Sequence, residues 1–464
     1  MMKKCLGLAL FFSINASAQD TTAEQILRSR NSEFAQEIVQ VADNVYTAVG
    51  FTPANVSMIV GDDGIILVDT GMSPPHAMAV NQAFREITDL PVKGIIYTHG
   101  HGDHTGGASV FVSNANPEIW AMSNYGAEDL PLSEAGLTIQ RQRGIRQAGF
   151  ALPDQLRINN GIAPAMRPLP GGPGNMPGGN AFSAGGVSGN GDMNAADTFP
   201  NNTFAAGRQN IEIAGINLAL VAAPGETADQ LYVWYPDKEV LFAGDNYYKS
   251  FPNLYAIRGT PYRDVAAWAN SLDLMIEENP VAVVPGHTSP VLGKAQSVLA
   301  LQNHRDAIRY VHDKTVEGMN LGMRIDELVE YVQLPQPLAS NPDLGEYYGK
   351  VSWAVRSIFN GYLGWYDGNP SNLSPLSPID EAENIALLAG GIDQLQHQAQ
   401  NALDEGQSQW AAQLADYLLV LDENNTAVKL IKADALTKLA RESTNALARN
   451  YYLTIAQQLR MEVQ

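Results

Sequence analysis

Cysteine is almost missing from this chain: one residue, Cys5, in 464. A single thiol excludes an intrachain disulfide framework and any cysteine-rich zinc module. Basic residues are also scarce, 29 Lys and Arg against 49 Asp and Glu, for a formal net charge of −20. Nucleic-acid binding relies on a positive footprint that releases counterions from phosphates, so this balance excludes a nucleic-acid partner and adsorption to an anionic membrane. Past the N-terminus no apolar run approaches the roughly 20 residues of a transmembrane helix. What remains is ordinary for a globular protein, 45% hydrophobic and 17% charged. The length fits two or three domains of about 150 residues.

Residues 1–18 read as a secretory signal peptide. Lys3 and Lys4 form a basic start, Leu6 to Ile14 is apolar but too short to span a bilayer, and Ala16-Ser17-Ala18 offers small residues for cleavage before Gln19. Cys5 lies in the basic region, without the apolar and small residues that precede a lipidated cysteine. Cleavage is expected to leave a cysteine-free chain with 27 basic and 49 acidic residues, a net charge of −22. The expected product is exported, to a bacterial periplasm.

From Asn44 to residue 290, short β runs alternate with helical segments. Val56–Val60 and Ile65–Val68 flank Gly61-Asp62-Asp63-Gly64 and read as a hairpin, with Asp-Gly expected to supply a positive φ. A helix over Ala79 to Ile87 and a strand over Gly94 to Thr98 follow. Further strands are expected at Leu218 to Ala222, Leu231 to Tyr235, Val240 to Ala243 and Val281 to Val284. Apolar runs this continuous indicate strands covered on both faces, hence a layered α/β sandwich over residues 19–300. Residues 161–202 hold ten glycines and six prolines, which reads either as a linker or as a long active-site loop. Beyond residue 300 the character is helical. Leu301, Ile308, Val311, Val316 and Met319 fall along one face, and 301–464 is expected to be an all-helical domain, its apolar stripes serving a dimer or a core.

Thr98-His99-Gly100-His101-Gly102-Asp103-His104 follows directly on a predicted strand and holds three of the eight histidines. Three imidazoles and a carboxylate in so short a stretch converge only if the chain turns tightly, which the glycines allow. Without thiolates, such a ligand set suits Zn²⁺.

This HxHxDH motif resembles the metallo-β-lactamase superfamily, whose αββα sandwich holds one or two metals at one edge of the sheets. The resemblance extends through Val68-Asp69-Thr70-Gly71, Gly244-Asp245 and Gly286-His287. In place of the histidine common in a third motif, Pro224-Gly225-Glu226-Thr227-Ala228-Asp229 offers a carboxylate, which is similar to the alkylsulfatase branch. Asn253-Leu254-Tyr255-Ala256-Ile257-Arg258-Gly259, Trp353-Ala354-Val355-Arg356-Ser357 and Gly361 to Pro370 are similar to that branch too, the last two to its dimerisation domain. The branch usually carries Glu where this chain has Asp245, and its members commonly continue into a sterol-carrier-like domain, which is not expected after Gln464.

The resemblance implies a site with two Zn²⁺: His99, His101 and Glu226 on one, Asp103, His104 and His287 on the other, and Asp245 with a water or hydroxide between them. It implies zinc-dependent hydrolysis of alkyl or aryl sulfate esters by a metal-bound hydroxide, in a homodimer formed through the C-terminal helical domain. Asn253 and Arg258 match positions that contact sulfate, with Asp103 the third residue assigned to catalysis; a surface salt bridge is the plainer reading of Arg258. Asp69 reads as a turn residue or as an anchor that orients histidines. Lys249 and Arg263 either add positive potential or face solvent, and His76, His304, His312 and His397 are expected to be ordinary histidines. Hydrolysis of another ester, lactam or lactone is the alternative activity, and a non-catalytic dimeric binding protein the alternative class.

Overall fold

The computed structural model describes residues 21–112, 116–166 and 198–464. The proposed signal peptide with Cys5, and most of the Gly/Pro-rich segment, lie outside the described residues.

Two mixed sheets stack face to face. The first contains β1 (Glu37–Ala42), β2 (Val45–Val49), β3 (Val56–Val60), β4 (Ile65–Val68), β5 (Val92–Ile96), β6 (Glu118–Met122) and β7 (Asn202–Phe204), in sequential order. Its first four strands form an antiparallel meander, and β4 through β7 are parallel. The second sheet contains β8 (Arg208–Ile213), β9 (Ile216–Ala222), β10 (Leu231–Tyr235), β11 (Val240–Gly244), β12 (Ala282–Pro285) and β13 (Val291–Leu292), again in sequential order, with β11 and β12 parallel. Between the sheets Ile59, Ile66, Val68 and Ile96 meet Leu220, Val233, Phe242 and Val284.

Helices complete the sandwich. The short N-terminal α1 (Ala23–Ser29) precedes the sheets, and α2 (Pro74–Arg85), α3 (Gly102–Thr105) and α4 (Ser109–Val112) follow β4 and β5. Val80 and Phe84 of α2 and Phe111 of α4 cover Met58, Leu67 and Ile95 on the outer face of the first sheet. After β6 come α5 (Asp129–Glu134) and α6 (Thr138–Gln147). The outer face of the second sheet is covered by α7 (Val265–Glu277), α8 (Lys294–Asn320), α9 (Ile325–Tyr331) and α10 (Val351–Leu363), through Trp268, Leu272, Leu301, Ile308, Val311, Leu328 and Ile358. A separate core lies in α11 (Pro378–Ala389), α12 (Ile392–Asp404), α13 (Ser408–Leu421), α14 (Thr426–Glu442) and α15 (Ala446–Val463). The order is helix, sheet, sheet, helix, followed by a helical C-terminal region.

Several expectations shift in detail. The helix expected from Ala79 begins at Pro74, because two prolines occupy its first turn, where the missing N–H groups cost nothing. The hairpin forms over the expected strands, closed by the Gly61 amide donating to the Gly64 carbonyl at 2.9 Å. Neither Asp63 nor Gly64 has a positive φ, however. Gly64 serves close approach instead: a Cβ there would fall 2.2 Å from Lys93 Cγ and 3.0 Å from the Pro91 carbonyl oxygen. The boundary expected at residue 300 falls inside α8. Its apolar face, Leu301, Ile308 and Val311, belongs to the core of the second sheet, with Val316 and Met319 partly buried along the same helix.

Ile308 has no exposed surface and sits between α8 and the sheet. Ile308→Ala is expected to destabilise the sheet-containing region by about 2–5 kcal/mol, seen as a lower midpoint in urea denaturation followed by tryptophan fluorescence. An unchanged midpoint would mean that α8 is peripheral to this core.

Candidate metal centre

The site is built where strands of both sheets end. Leaving β4, Asp69 adopts a left-handed backbone conformation, φ +61°, uncommon for a residue with a side chain. That conformation turns its carboxylate back toward β5. Oδ1 accepts from the Thr98 amide at 2.9 Å, and Oδ2 accepts from Thr98 Oγ1 at 2.9 Å and from His104 Nδ1 at 2.7 Å. His99 Nδ1 in turn lies 3.0 Å from Thr98 Oγ1. The other histidines have equivalent anchors: His287 Nδ1 bonds the Pro53 carbonyl at 2.7 Å, and His101 Nε2 bonds Glu128 Oε1 at 3.1 Å. Each anchor fixes a tautomer, with the bonded nitrogen carrying the proton and the other nitrogen turned toward the centre.

The second ring nitrogens converge. His99 Nε2 and His101 Nδ1 are 2.9 Å apart, and ligand atoms of His99, His101 and Asp245 form one compact group. Asp103, His104 and His287 form a second. Asp245 lies between them, with Oδ1 3.2 Å from His104 Nε2, and Oδ2 3.2 Å from His287 Nε2 and 3.9 Å from His99 Nε2. Asp103 Oδ2 is 3.5 Å from His287 Nε2, and its side chain is the most exposed of these carboxylates. Gly286 permits this convergence, since a Cβ there would fall 2.0 Å from Asp245 Oδ1.

Charge follows the packing. Burial disfavours a charged His99, and the neighbouring His104 and His101 add to this, so its pKa lies well below the usual histidine value. Burial also raises the Asp245 carboxyl, but His287 and His104 outweigh it and hold the pKa well below the ordinary carboxylate range.

Glu226, expected beside His99 and His101, lies in the turn after β9 and belongs to neither compact group. Its Oε1 accepts from Arg263 Nη1 at 2.6 Å, while Oε2 is buried without a hydrogen-bond partner. The turn is tied to β11 by Asn246, whose Nδ2 donates to the Ala223 carbonyl at 2.7 Å and whose Oδ1 accepts from the Glu226 amide at 3.3 Å. Burial opposes charge on Arg263, yet Glu226 and then Glu128 raise its pKa, so it remains a cation. His104 Nε2 and Asp245 Oδ1 are also buried and face each other without hydrogen-bond geometry. Buried lone pairs directed at common points, on nitrogen and oxygen donors alone, fit divalent cations such as zinc.

Beside this centre, the Asn253 amide is fully buried and neither its oxygen nor its nitrogen has a hydrogen-bond partner. Its backbone amide donates to Tyr248 Oη at 2.8 Å and its carbonyl accepts from Arg263 Nη1 at 2.7 Å. Arg258 reaches inward rather than to the surface, with Nη2 3.2 Å from His101 Nε2 and 2.8 Å from Glu128 Oε1. Of the two uncertain cations, Arg263 lies in the site. Lys249 points away, to Glu33 Oε2 at 3.0 Å and Ser289 Oγ at 2.6 Å. His76 pairs with Ser73, His312 with Asp313 and Tyr362, and His397 with Asn401. His304 packs among Tyr247 and Tyr248, its pKa pushed down to about 3 by burial.

Glu128 is the residue that sequence reasoning missed. It lies in no recognisable motif and reaches His101 because its loop is pinned: Gly126 N donates to Asp229 Oδ2 at 2.8 Å and Asn124 Nδ2 to the Ala228 carbonyl at 3.0 Å. Burial would raise its pKa, but Arg263, His101 and Arg258 hold it well below the usual carboxylate range.

Comparison with known proteins agrees with this architecture. A metallo-beta-lactamase superfamily model matches residues 49–287, and an alkyl sulfatase dimerisation model matches residues 324–462. A linear primary-alkylsulfatase of a Pseudomonas species is 35% identical over 413 residues, 87% of this chain and 73% of that protein. An alkyl/aryl-sulfatase of Saccharomyces cerevisiae is 28% identical over 439 residues, 92% of this chain and 64% of that protein. The solved structure of a stereoselective inverting sec-alkylsulfatase from Pseudomonas superimposes with a TM-score of 0.84 at 26% identity, covering 97% of this chain and 70% of that one. With its catalytic-site motifs and its C-terminal helices both matched, the chain belongs to the metallo-β-lactamase superfamily, in the alkylsulfatase branch.

Proposed function

We propose that this protein hydrolyses alkyl or aryl sulfate esters, releasing an alcohol and inorganic sulfate, with two Zn²⁺ per chain. The observations that support the reading are the buried, unpartnered Asn253 amide and the Arg258 guanidinium 3.2 Å from His101, together with two convergent groups of histidines and carboxylates. A planar guanidinium and an amide N–H suit the oxygens of a sulfate monoester, which carries one negative charge. Membership in the alkylsulfatase branch supports the same substrate class.

His99, His101 and Glu226 would hold one cation, Asp103, His104 and His287 the other, and Asp245 would contribute to both. Such a pair supplies positive charge and brings the pKa of water from about 15.7 toward 7. Around it the chain's own groups have separate tasks. Asp69, Thr98, Glu128 and the Pro53 carbonyl keep the histidine tautomers fixed. Arg258 and Asn253 Nδ2 hold and orient the sulfate oxygens. Asp103, the carboxylate that reaches furthest toward solvent, orients the attacking water and accepts its proton at Oδ2. Arg263 neutralises Glu226 and Glu128, which allows so many carboxylates in one buried site.

A homodimer through the helical C-terminal region is part of this proposal. Leu363, Trp365, Leu376, Ile379, Leu387 and Leu388 are exposed there, Leu388 by 84%, and large apolar side chains left in solvent in this number favour a protein contact. Export to the periplasm is proposed from the N-terminal sequence. Among the described residues no helix is long and apolar enough to cross a membrane.

Purified protein loaded with zinc is expected to release sulfate from decyl sulfate or an aryl sulfate, to lose that activity on chelation and to regain it when zinc returns. Absence of turnover across a broad panel of sulfate esters would defeat the reading. Arg258→Ala is expected to lower kcat/KM for sulfate esters by roughly 10- to 100-fold, the range for a hydrogen bond to a charged group. Activity on a neutral lactone, if present, would be unchanged; equal losses would favour a general esterase. Paired Leu387→Asp and Leu388→Asp substitutions are expected to give a monomer by light scattering with zinc content retained, and a persisting dimer would place the interface elsewhere.

A further inference from the structure

Glu128 sits where an anion-binding site would not be expected to carry a carboxylate. Its Oε1 is 2.8 Å from Arg258 Nη2, 3.1 Å from His101 Nε2 and 3.6 Å from Arg263 Nη2. The carboxylate is buried, so water screens it little. Arg258 is therefore only partly available to a ligand. One nitrogen of the guanidinium, Nη2, is committed to Glu128, and the rest can face an oxyanion.

We infer that Glu128 is a specificity-determining residue that makes this site selective for monoanionic sulfate esters over dianionic phosphate esters. The inference rests on the sulfatase reading above and adds the choice between two tetrahedral oxyanions of similar shape. A sulfate monoester brings one negative charge, which Arg258 can balance. A phosphate monoester, with its second pKa near 6, brings close to two at neutral pH and above. The extra charge meets a like charge one guanidinium away, in a setting where like-charge juxtaposition is costly. Asp103, Glu226 and Asp245 are needed as cation ligands, and the ions they would hold offset their charge. Glu128 is not itself a proposed ligand and reaches the centre through His101, Arg258 and Arg263, so its charge can be removed while all seven proposed ligands stay.

The test compares two probes that share a tail, decanesulfonate and decyl phosphate, by calorimetry on zinc-loaded protein at about pH 8, where the phosphate is a dianion. Glu128→Gln is expected to improve decyl phosphate affinity relative to decanesulfonate by about tenfold or more. Glu128→Asp, which keeps the charge, is expected to preserve the wild-type ratio. Zinc content of each variant is measured alongside. Parallel changes for both probes in Glu128→Gln would overturn the inference, leaving Glu128 as only a support for His101 and Arg258. Failure of the wild-type protein to hydrolyse any sulfate ester is a separate result, which refutes the functional reading itself.

Discussion

The site depends on the hydrogen bond between Asp69 and His104, at 2.7 Å. Through the same carboxylate Asp69 also binds the Thr98 amide and hydroxyl, and through Thr98 it reaches His99. One side chain therefore sets the geometry of the loop that carries three histidines, and sets the tautomers of two of them. The left-handed backbone at Asp69 aims this carboxylate, a strained conformation of a kind that persists where the surroundings enforce it. Removing the carboxylate would leave both rings free to turn, and the ligand nitrogens would no longer share a common focus.

The sandwich supplies the rest by bringing two sheet edges together. Asp245 follows β11 and His287 follows β12, parallel neighbours whose ends lie side by side, while His99 to His104 follow β5 in the other sheet. Asn55 ties the sheets across the site: its Nδ2 donates to the Pro285 and Thr288 carbonyls at 3.0 and 2.7 Å, and its amide donates to the Gly286 carbonyl at 2.7 Å. The N-terminal segment braces the same loop from outside. Glu33 Oε2 accepts from Lys249 Nζ and Ser289 Oγ, and Arg30 donates to the Lys249 carbonyl. Rigid strand ends backed by such ties are what a multi-ligand centre requires.

Much of this was legible in the sequence because it is local. The HxHxDH motif carries its ligands within one turn of chain, and β10 runs over the expected Leu231 to Tyr235 because a continuous apolar run between turn residues has few alternatives. Asp245 and His287 were named through the family resemblance, and each lies just past the end of a strand. Glu128 was not legible, since its position depends on the 124–126 loop being pinned to Ala228 and Asp229, distant in sequence. The contrasting fates of Arg263 and Lys249 were hidden for the same reason. Both are cations near Asn253 in sequence, and only tertiary partners decide that one turns to Glu226 and the other to Glu33. The role of α8 was misplaced because its periodic apolar face shows that it packs against something, without showing what.

The acidity of the chain also acquires a local meaning. A surplus of acidic residues would repel an anionic substrate, so attraction must arise at the site, where Arg258 and Arg263 stand beside the proposed cation ligands within a Debye length of about 8 Å at physiological salt. The most direct test of the account is a zinc titration of metal-stripped protein, with bound metal and sulfate released from decyl sulfate measured at each step. The account predicts saturation at two ions per chain, with turnover rising as the pair is completed. Turnover that is independent of zinc, or protein that retains none, would contradict it.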